Sequence, residues 1–311
     1  MVTTPNSPFD LVVGQSQAIA LLKAAIRRDR IAPAYLFAGA SGVGRSKTAS
    51  AFAEVLLGDR KSANRISDRN HPDLLWVEPT YLDKGKMLTA KEAEASGLKR
   101  RALPQIRIEQ VREISEFVSR SPLECKRSVV ILEEAQSMAE SAANSLLKTL
   151  EEPLYATIIL IVPDAGSILP TLVSRCQRIP FTRLNPAQMQ EVLTSEGHTI
   201  PPEVVALAQG SAGNAIESFD RFKSIPAELL NLVRQIPQDA KSAMAIAKQI
   251  NKELDVDLQL WLIDYLQNYF WEQKRTKSVL QHLDKARELI ARYVQPRLVW
   301  EVTLLQIAGK I

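Results

Sequence analysis

A glycine-rich loop between an apolar strand and an amphipathic helix constrains this chain more than any other feature. The loop, Gly39-Ala-Ser-Gly-Val-Gly-Arg-Ser46, follows the short apolar run Tyr35–Ala38. Lys47–Leu57 comes next, and its apolar residues recur at helical spacing. A strand, a glycine-rich turn and a helix form the context that a phosphate-binding P-loop, G-x-x-x-x-G-K-[ST], requires. The sequence therefore predicts a P-loop whose backbone amides and helix N-terminus face an anion.

One position of the loop departs from the P-loop pattern. Three glycines allow the tight turn, and a serine stands where a hydroxyl would bind magnesium: Gly39, Gly42, Gly44 and Ser46. Arg45 replaces the lysine, and a planar guanidinium does not reproduce the compact charge of an ammonium in a tight cradle. We therefore expect a loop retained for a structural role, and the sequence leaves open whether a residual nucleotide binds there.

An acidic pair follows the apolar strand Val129–Leu132. In a magnesium-binding motif at this place an aspartate usually comes first, but this chain has Glu133 and then Glu134. Glu133 is one methylene longer than aspartate, which displaces the carboxylate by about 1 Å, and errors of that size cost about 10²-fold in rate. Glu134 matches the position that activates water. Arg45 and Glu133 together predict a decayed ATPase site.

Strand and helix patterns predict an α/β fold followed by an all-α region. Apolar strands alternate with helices in the first half, which indicates a parallel sheet covered on both faces. The charged, mostly aperiodic segments 59–70 and 83–101 are predicted surface insertions. After Pro180 no further apolar strand is evident, and the amphipathic helices lengthen from Ala227 onward, as in a helical bundle.

Composition excludes several other classes of protein. Hydrophobic residues make up 46% and charged residues 24%, as in folded globular domains, and no apolar run is long enough to span a membrane. Cys125 and Cys176 cannot build a disulfide framework or a four-cysteine zinc site, and the histidines are scattered. Met1–Asp10 lacks the pattern of a secretory signal, so we expect a reducing cytoplasm. The net charge of +4 permits nucleic acid nearby without indicating it.

Four further motifs carry a family resemblance, and their order and spacing match as well. They are Val13-Gly14-Gln15, His71-Pro72-Asp73, Leu146-Leu-Lys-Thr-Leu-Glu-Glu-Pro153 and Ser174-Arg175-Cys176. In these motifs the chain resembles the AAA+ clamp-loader subunits of bacterial DNA polymerase III. The resemblance implies an AAA+ P-loop (RecA-like) domain with a parallel sheet at 1–181, a small helical lid domain at 182–226, and an all-α oligomerisation collar at 227–311.

Within this family, the chain is most similar to the subunit type that combines a decayed nucleotide site with an intact S-R-C motif. The resemblance implies a non-catalytic subunit of the polymerase holoenzyme that helps to load the sliding clamp on primed DNA. Arg175, flanked by Ser174 and Cys176, would act in trans on ATP bound by a neighbouring subunit. Val162 and Asn214 replace the usual polar and arginine sensors, in keeping with lost hydrolysis.

The resemblance also implies partners and cofactors. The partners are gamma/tau motor subunits and the delta subunit in a hetero-oligomer, the sliding clamp, and primed DNA reached through the assembled complex; no membrane is involved. No cofactor is required. Because segment 59–70 has no cysteine where relatives often carry a zinc module, we expect no zinc and no other metal.

Two alternatives stay open from the residues alone. An autonomous AAA+ ATPase motor of the gamma/tau type would need Arg45 to replace the lysine and Glu133 to hold magnesium, and turnover by the isolated chain would identify it. A DNA-binding module would rest on the basic cluster Lys99-Arg100-Arg101, which has no interleaved aromatic residues to stack on bases. Salt-dependent affinity for primed DNA without partner subunits would favour that alternative.

Overall fold

A computed structural model describes residues 7–58, 63–97, 103–151, 153–273 and 277–309 of the chain. The chain divides into two compact units, Met1–Gln188 and Met189–Ile311. The division of the second unit into a lid and a collar stays a prediction. Within the described ranges, no helix is both long and apolar enough to cross a membrane. The basic cluster Lys99-Arg100-Arg101 lies outside the described residues.

A parallel sheet forms the centre of the first unit, which confirms the predicted α/β class. Its strands are β1 (Ala34–Ala38), β2 (Leu74–Val77), β5 (Ser128–Leu132), β6 (Ala156–Val162) and β7 (Gln177–Pro180), in the order β2-β5-β6-β1-β7. All neighbouring pairs are parallel. A separate antiparallel hairpin consists of β3 (Tyr81–Asp83) and β4 (Lys86–Leu88).

Helices cover both faces of this sheet. They are α1 (Ser16–Arg27), α2 (Arg45–Leu57), α3 (Ala63–Ser67), α4 (Ala90–Ala95), α5 (Ile108–Ser119), α6 (Glu140–Glu151) and α7 (Pro170–Val173). Successive strand residues face opposite sides. Phe37 therefore belongs to one core with Phe52 of α2, whereas its neighbour Leu36 belongs to the other core with Leu146 of α6. Burial on both sides explains why the central strands read as continuous apolar runs.

Several elements of the first unit carry no periodic signal in the sequence. Strand β7 lies at the sheet edge and buries only Ile179, so it shows no apolar run. The predicted insertions 59–70 and 83–101 contain the short helices α3 and α4 and part of the β3–β4 hairpin. Helix α4 begins with a capping box in which Thr89 and Glu92 bond each other's backbone amides. Local capping, rather than a buried apolar face, defines this helix.

Within the described residues, the regular elements of the second unit are all helices. Its helices are α8 (Pro186–Ser195, which begins in the first unit), α9 (Pro202–Leu207), α10 (Ala212–Ser224), α11 (Ala227–Val233), α12 (Ala240–Glu253), α13 (Val256–Glu272), α14 (Lys277–Ala291) and α15 (Pro296–Ile307). One core joins residues of α11 to α15. Trp261, Tyr265 and Phe270 are buried in this core, whereas Trp271 is 68% exposed.

Candidate functional site

Strand order brings the glycine-rich loop and the acidic pair to the same edge of the sheet. Strand β6 lies between β1 and β5, and all three run parallel, so their carboxyl ends meet. A cleft of about 290 Å³ opens there, with loop residues between Ser41 and Lys47 on one side and Glu133 and Glu134 on the other. The location is that of ligand sites in open α/β sheets, outside the carboxyl ends of the strands.

Glycine is required at two positions of the loop for two different structural reasons. Gly44 precedes α2 with φ +101°, a left-handed conformation that favours glycine. Gly39 has no such constraint, but a Cβ atom on it would lie 2.5 Å from the carbonyl oxygen of Phe181 and 2.7 Å from the Phe181 Cβ. Phe181 is held there because its N–H donates to the Ala38 carbonyl at 2.8 Å. Gly39 is therefore required by close packing next to β7.

Arg45 occupies the first position of α2 and lines the cleft. The residue is only 8% exposed, and its Nη1 atom is buried without a hydrogen-bond partner. Burial lowers the pKa of Arg45, and the carboxylates of Glu134 and Glu133 oppose this shift. A cation at this end of a helix also opposes the helix dipole. The guanidinium thus occupies the cleft at an electrostatic cost that the acidic pair offsets.

A second arginine contacts the acidic pair. Arg69 Nη2 lies 3.8 Å from Glu133 Oε2, and Arg69 Nη1 lies 2.8 Å from Glu78 Oε2. The Arg69 guanidinium also stacks over the Trp76 ring at 4.3 Å. An internal cation therefore sits beside the carboxylate that would have to hold magnesium. No pattern in the sequence predicts this contact, because Arg69 belongs to an aperiodic segment.

Three other residues that the sequence assigned to the ATPase site are Glu134, Val162 and Asn214. Glu134 is exposed and has φ +47°, an uncommon conformation for a non-glycine residue, which concentrates at functional sites. Val162 is fully buried at the end of β6, beside Ala38 of β1. Asn214 lies in the second unit, in the first turn of α10, where its N–H donates to Ser211 Oγ at 3.1 Å.

Gln15, from the Val13-Gly14-Gln15 motif, ties the loop to the segment after β7. Its side chain is buried, and Nε2 donates to the carbonyls of Val43 at 3.0 Å and Thr182 at 2.8 Å. Its Oε1 accepts from the Thr182 N–H at 3.1 Å. The side-chain amide of Gln15 therefore hydrogen-bonds both to the glycine-rich loop at Val43 and to the segment after β7 at Thr182. This motif holds the backbone of the loop in place without any nucleotide.

Arg175 of the S-R-C motif lies just beyond α7. Its Nε and Nη2 atoms donate to Glu151 Oε1 at 3.0 and 2.5 Å, and its Nη1 donates to the Thr171 carbonyl at 3.1 Å. The side chain remains 37% exposed. The family resemblance implied that Arg175 acts in trans, but sequence reasoning did not find its partner Glu151, the last residue of α6.

The neighbours of Arg175 anchor it to the domain. Ser174 Oγ donates to the Thr171 carbonyl at 2.9 Å. Cys176 is largely buried among apolar residues, and this burial raises the pKa of its thiol to about 12. The thiol is therefore uncharged and acts as a small apolar anchor.

A buried group of His71, Asp73 and Cys125 brings potential metal ligands within 4.8 Å of one another. The Asp73 carboxylate accepts three backbone N–H groups, from Leu123 at 2.6 Å and from Glu124 and Cys125 at 2.8 Å each. His71 Nδ1 accepts from the Asp73 N–H at 3.1 Å, so a neutral ring carries its proton on Nε2. The His71 Nδ1 atom and the Asp73 carboxylate thus accept hydrogen bonds from neighbouring backbone amides and form a buried hydrogen-bond network.

Comparison with known proteins identifies the family. A family model described as "DNA polymerase III, delta subunit" matches residues 14–185, which are more than half of the chain. A second model, "Cyanobacterial DNA polymerase III delta prime, C-terminal domain", matches residues 187–307. The chain belongs to the DNA polymerase III delta-prime family. This family agrees with the one that its motifs predicted.

Individual relatives agree with this family. The chain is 29% identical over 239 residues to the DNA polymerase III subunit delta' of Bacillus subtilis, covering 72% of the chain and 65% of that relative. It is 32% identical over 199 residues to the subunit delta' of Pseudomonas aeruginosa, covering 59% of the chain and 55% of that relative. The matches thus span less than two thirds of these delta-prime proteins.

A solved structure shares the fold. A gamma subunit-related DNA polymerase III protein from Thermotoga maritima superposes with a TM-score of 0.56, covering 94% of this chain and 99% of that one. The two chains are 18% identical, so this likeness concerns the fold alone.

Proposed function

We propose that this chain is a non-catalytic, ATPase-defective subunit of a DNA polymerase III clamp loader. In this role it helps to load the sliding clamp on primed DNA and supplies Arg175 in trans to ATP bound by a neighbouring motor subunit. The observation that carries the proposal is the contrast between its two arginine environments. Arg45 and Arg69 neutralise the chain's own acidic pair, whereas Arg175 lies at the surface with N–H groups to offer.

The cleft supports the loss of hydrolysis. Magnesium would need the Glu133 carboxylate, but Arg69 lies beside that carboxylate and Arg45 faces it across the cleft. A metal ion in this cleft would lie close to the guanidinium groups of Arg45 and Arg69, and the repulsion between like charges is strong in a partly buried cleft. The role proposed here therefore requires no nucleotide turnover by this chain, no metal and no zinc.

Arg175 supports the positive half of the proposal. An arginine presented to a γ-phosphate stabilises the charge of the transition state and raises the rate of hydrolysis by about 10³–10⁵. The proposed partners are gamma/tau motor subunits and a delta subunit in a hetero-oligomer. The second unit leaves large apolar side chains exposed, which suits burial by such partners: Leu232, Met244, Trp271, Leu298 and Val302.

The experiment is reconstitution of the complex with only this subunit altered. Arg175→Ala should leave folding and assembly intact, since an exposed arginine contributes little to stability. Clamp- and DNA-stimulated hydrolysis at the interface facing this chain should fall by about 10³-fold. Arg175→Lys should rescue poorly, because lysine lacks the forked donors. The matched control is Arg120→Ala, which removes an exposed arginine paired with Glu116 in α5.

Two results would contradict the proposal. Unchanged hydrolysis and clamp loading with Arg175→Ala would remove the arginine from the mechanism. ATP turnover near 1 s⁻¹ by the isolated wild-type chain, within the ordinary range of enzymes, would favour the gamma/tau type of autonomous motor instead.

A further inference from the structure

Among the hydrogen bonds of Arg175 within the described residues, the two to Glu151 are the shortest. A single oxygen, Glu151 Oε1, accepts from both Nε and Nη2 of the arginine at 3.0 and 2.5 Å. On the other side of the guanidinium, Nη1 donates to the Thr171 carbonyl at 3.1 Å. The group is therefore fixed from two directions, by the end of α6 and by α7.

We propose that Glu151 is a positioning residue for Arg175, which holds the guanidinium by its side edge and leaves its terminal edge free for phosphate oxygens. This role presupposes the proposed function of Arg175 as a trans-acting residue. Glu151 itself touches no phosphate. It acts by reducing the number of orientations that the arginine samples before a neighbouring ATP arrives, so that the contact forms at a smaller entropic cost.

The chemistry of the guanidinium permits both contacts at once. An arginine has five N–H donors in a rigid planar fork. Its three hydrogen bonds within the described part of the chain use Nε–H, one Nη2–H and one Nη1–H. One N–H on each terminal nitrogen is left. In the proposed arrangement Nη1 meets the Thr171 carbonyl with its hydrogen on the Cδ side, so the two remaining hydrogens lie on the terminal edge and match two oxygens of one phosphate, the bidentate geometry in which arginine binds phosphate well.

The place of Glu151 argues against a role in the stability of α6. Glu151 is the last residue of that helix, where the dipole disfavours a negative charge and favours a positive one. Its side chain is 52% exposed, and ion pairs that face solvent add little to stability. Burial of Leu146 and Leu150 holds the helix in place without it. A residue that breaks a local rule without stabilising its own helix is best explained by function.

The test compares Glu151→Ala and Glu151→Gln in complexes that differ only in this subunit. The signal is the pre-steady-state phase of ATP hydrolysis that is lost in the Arg175→Ala complex. Glu151→Ala should slow this phase by about 10- to 100-fold, the loss expected from misplacing a catalytic group by about 1 Å. Glu151→Gln keeps an acceptor oxygen but loses the charge, so its loss should be smaller. The ATP concentration for half-maximal rate should not change, because the partner's own P-loop binds the nucleotide.

Two controls separate positioning from a structural effect. Glu116→Ala removes an exposed carboxylate paired with Arg120 in α5 and should leave the phase unchanged. In an Arg175→Ala background, Glu151→Ala should cause no further loss, because its only target is gone. A further loss in that background, a shifted half-maximal ATP concentration, or a faster phase with Glu151→Ala would overturn the positioning role. If Arg175→Ala itself has no effect, the proposed function fails; if only Glu151→Ala has none, the positioning role alone fails.

Discussion

Gly39→Ala tests whether the glycine-rich loop is retained for packing rather than for phosphate. The new Cβ atom would lie 2.5 Å from the Phe181 carbonyl oxygen and 2.7 Å from the Phe181 Cβ. Both are roughly 1 Å closer than ordinary van der Waals contact. Neither can rotate away, since one is backbone and the other is fixed to it. Either the loop or the end of β7 must move.

The size of the effect follows from these contacts. Overpacking of this kind costs about 1–3 kcal/mol, and weakening the 2.8 Å bond from the Phe181 N–H to the Ala38 carbonyl adds about 1 kcal/mol. We therefore expect Gly39→Ala to lower the free energy of unfolding of the first unit by about 2–4 kcal/mol. For a unit of this size the melting temperature should fall by about 5–15 °C.

Hydrogen exchange measured by mass spectrometry would locate the damage. Exchange should accelerate in peptides that cover β1 and β7, because those strands separate first. The matched control is Gly44→Ala, where the space around the new Cβ is open but φ is +101°. That variant should lose about 1–2 kcal/mol through backbone strain alone and leave β7 protected. If Gly39→Ala melts within about 1 °C of the wild type, the packing explanation is wrong.

Two titratable groups give further predictions. Burial opposes the ionisation of Asp73, but hydrogen bonds from the backbone amides of Leu123, Glu124 and Cys125 outweigh burial and lower the pKa of Asp73. The ionised carboxylate therefore stabilises the fold fully above the unfolded pKa of about 3.9, and this stabilisation is lost as pH falls through the folded pKa. Asp73→Asn should therefore cost about 2–3 kcal/mol at pH 7 in urea denaturation, with a gap to wild type that closes below about pH 4; a gap independent of pH would contradict this. Burial raises the pKa of the Cys176 thiol to about 12, so at pH 8 the thiol should react with iodoacetamide at least about 10²-fold more slowly in the native chain than in the urea-unfolded chain. The stability that the buried neutral thiol contributes to the fold should disappear as pH rises from about 9 toward 12. Equal rates of alkylation would show that the thiol is not buried as described.

Central strands and long helices could be predicted from the sequence because burial imposes a pattern on them. The predicted strands Tyr35–Ala38 and Val129–Leu132 agree with β1 and β5 within one residue. Strand β7 could not be predicted in this way. Strand β7 buries only Ile179, and it is ordered by its hydrogen bonds to β1, whose residues lie more than a hundred positions earlier in the chain.

The candidate site was likewise predictable from the sequence only in part. Motif spacing placed the loop and the acidic pair on one edge of the sheet, since parallel strands align their carboxyl ends. The partners of these groups were missed. Arg69 reaches Glu133 from an aperiodic segment, and Glu151 reaches Arg175 across 24 positions of sequence. A single sequence carries no periodicity that reports such polar pairs, so only the three-dimensional arrangement could supply them.

The charges in the cleft explain why substituting one residue should not recreate an ATPase. Arg45 and Arg69 face Glu133 and Glu134, so the four charges balance within the chain. Arg45→Lys restores the motif residue but leaves Arg69 beside the carboxylate that magnesium needs. Glu133→Asp alone shortens the carboxylate and leaves two cations poorly paired in a partly buried site, which is destabilising. A working site would require the lysine, the aspartate and the removal of Arg69 together. In the proposed function, the loss of catalysis at this cleft would therefore follow from its packing and charge balance, and the chain's own chemistry would be left to Arg175.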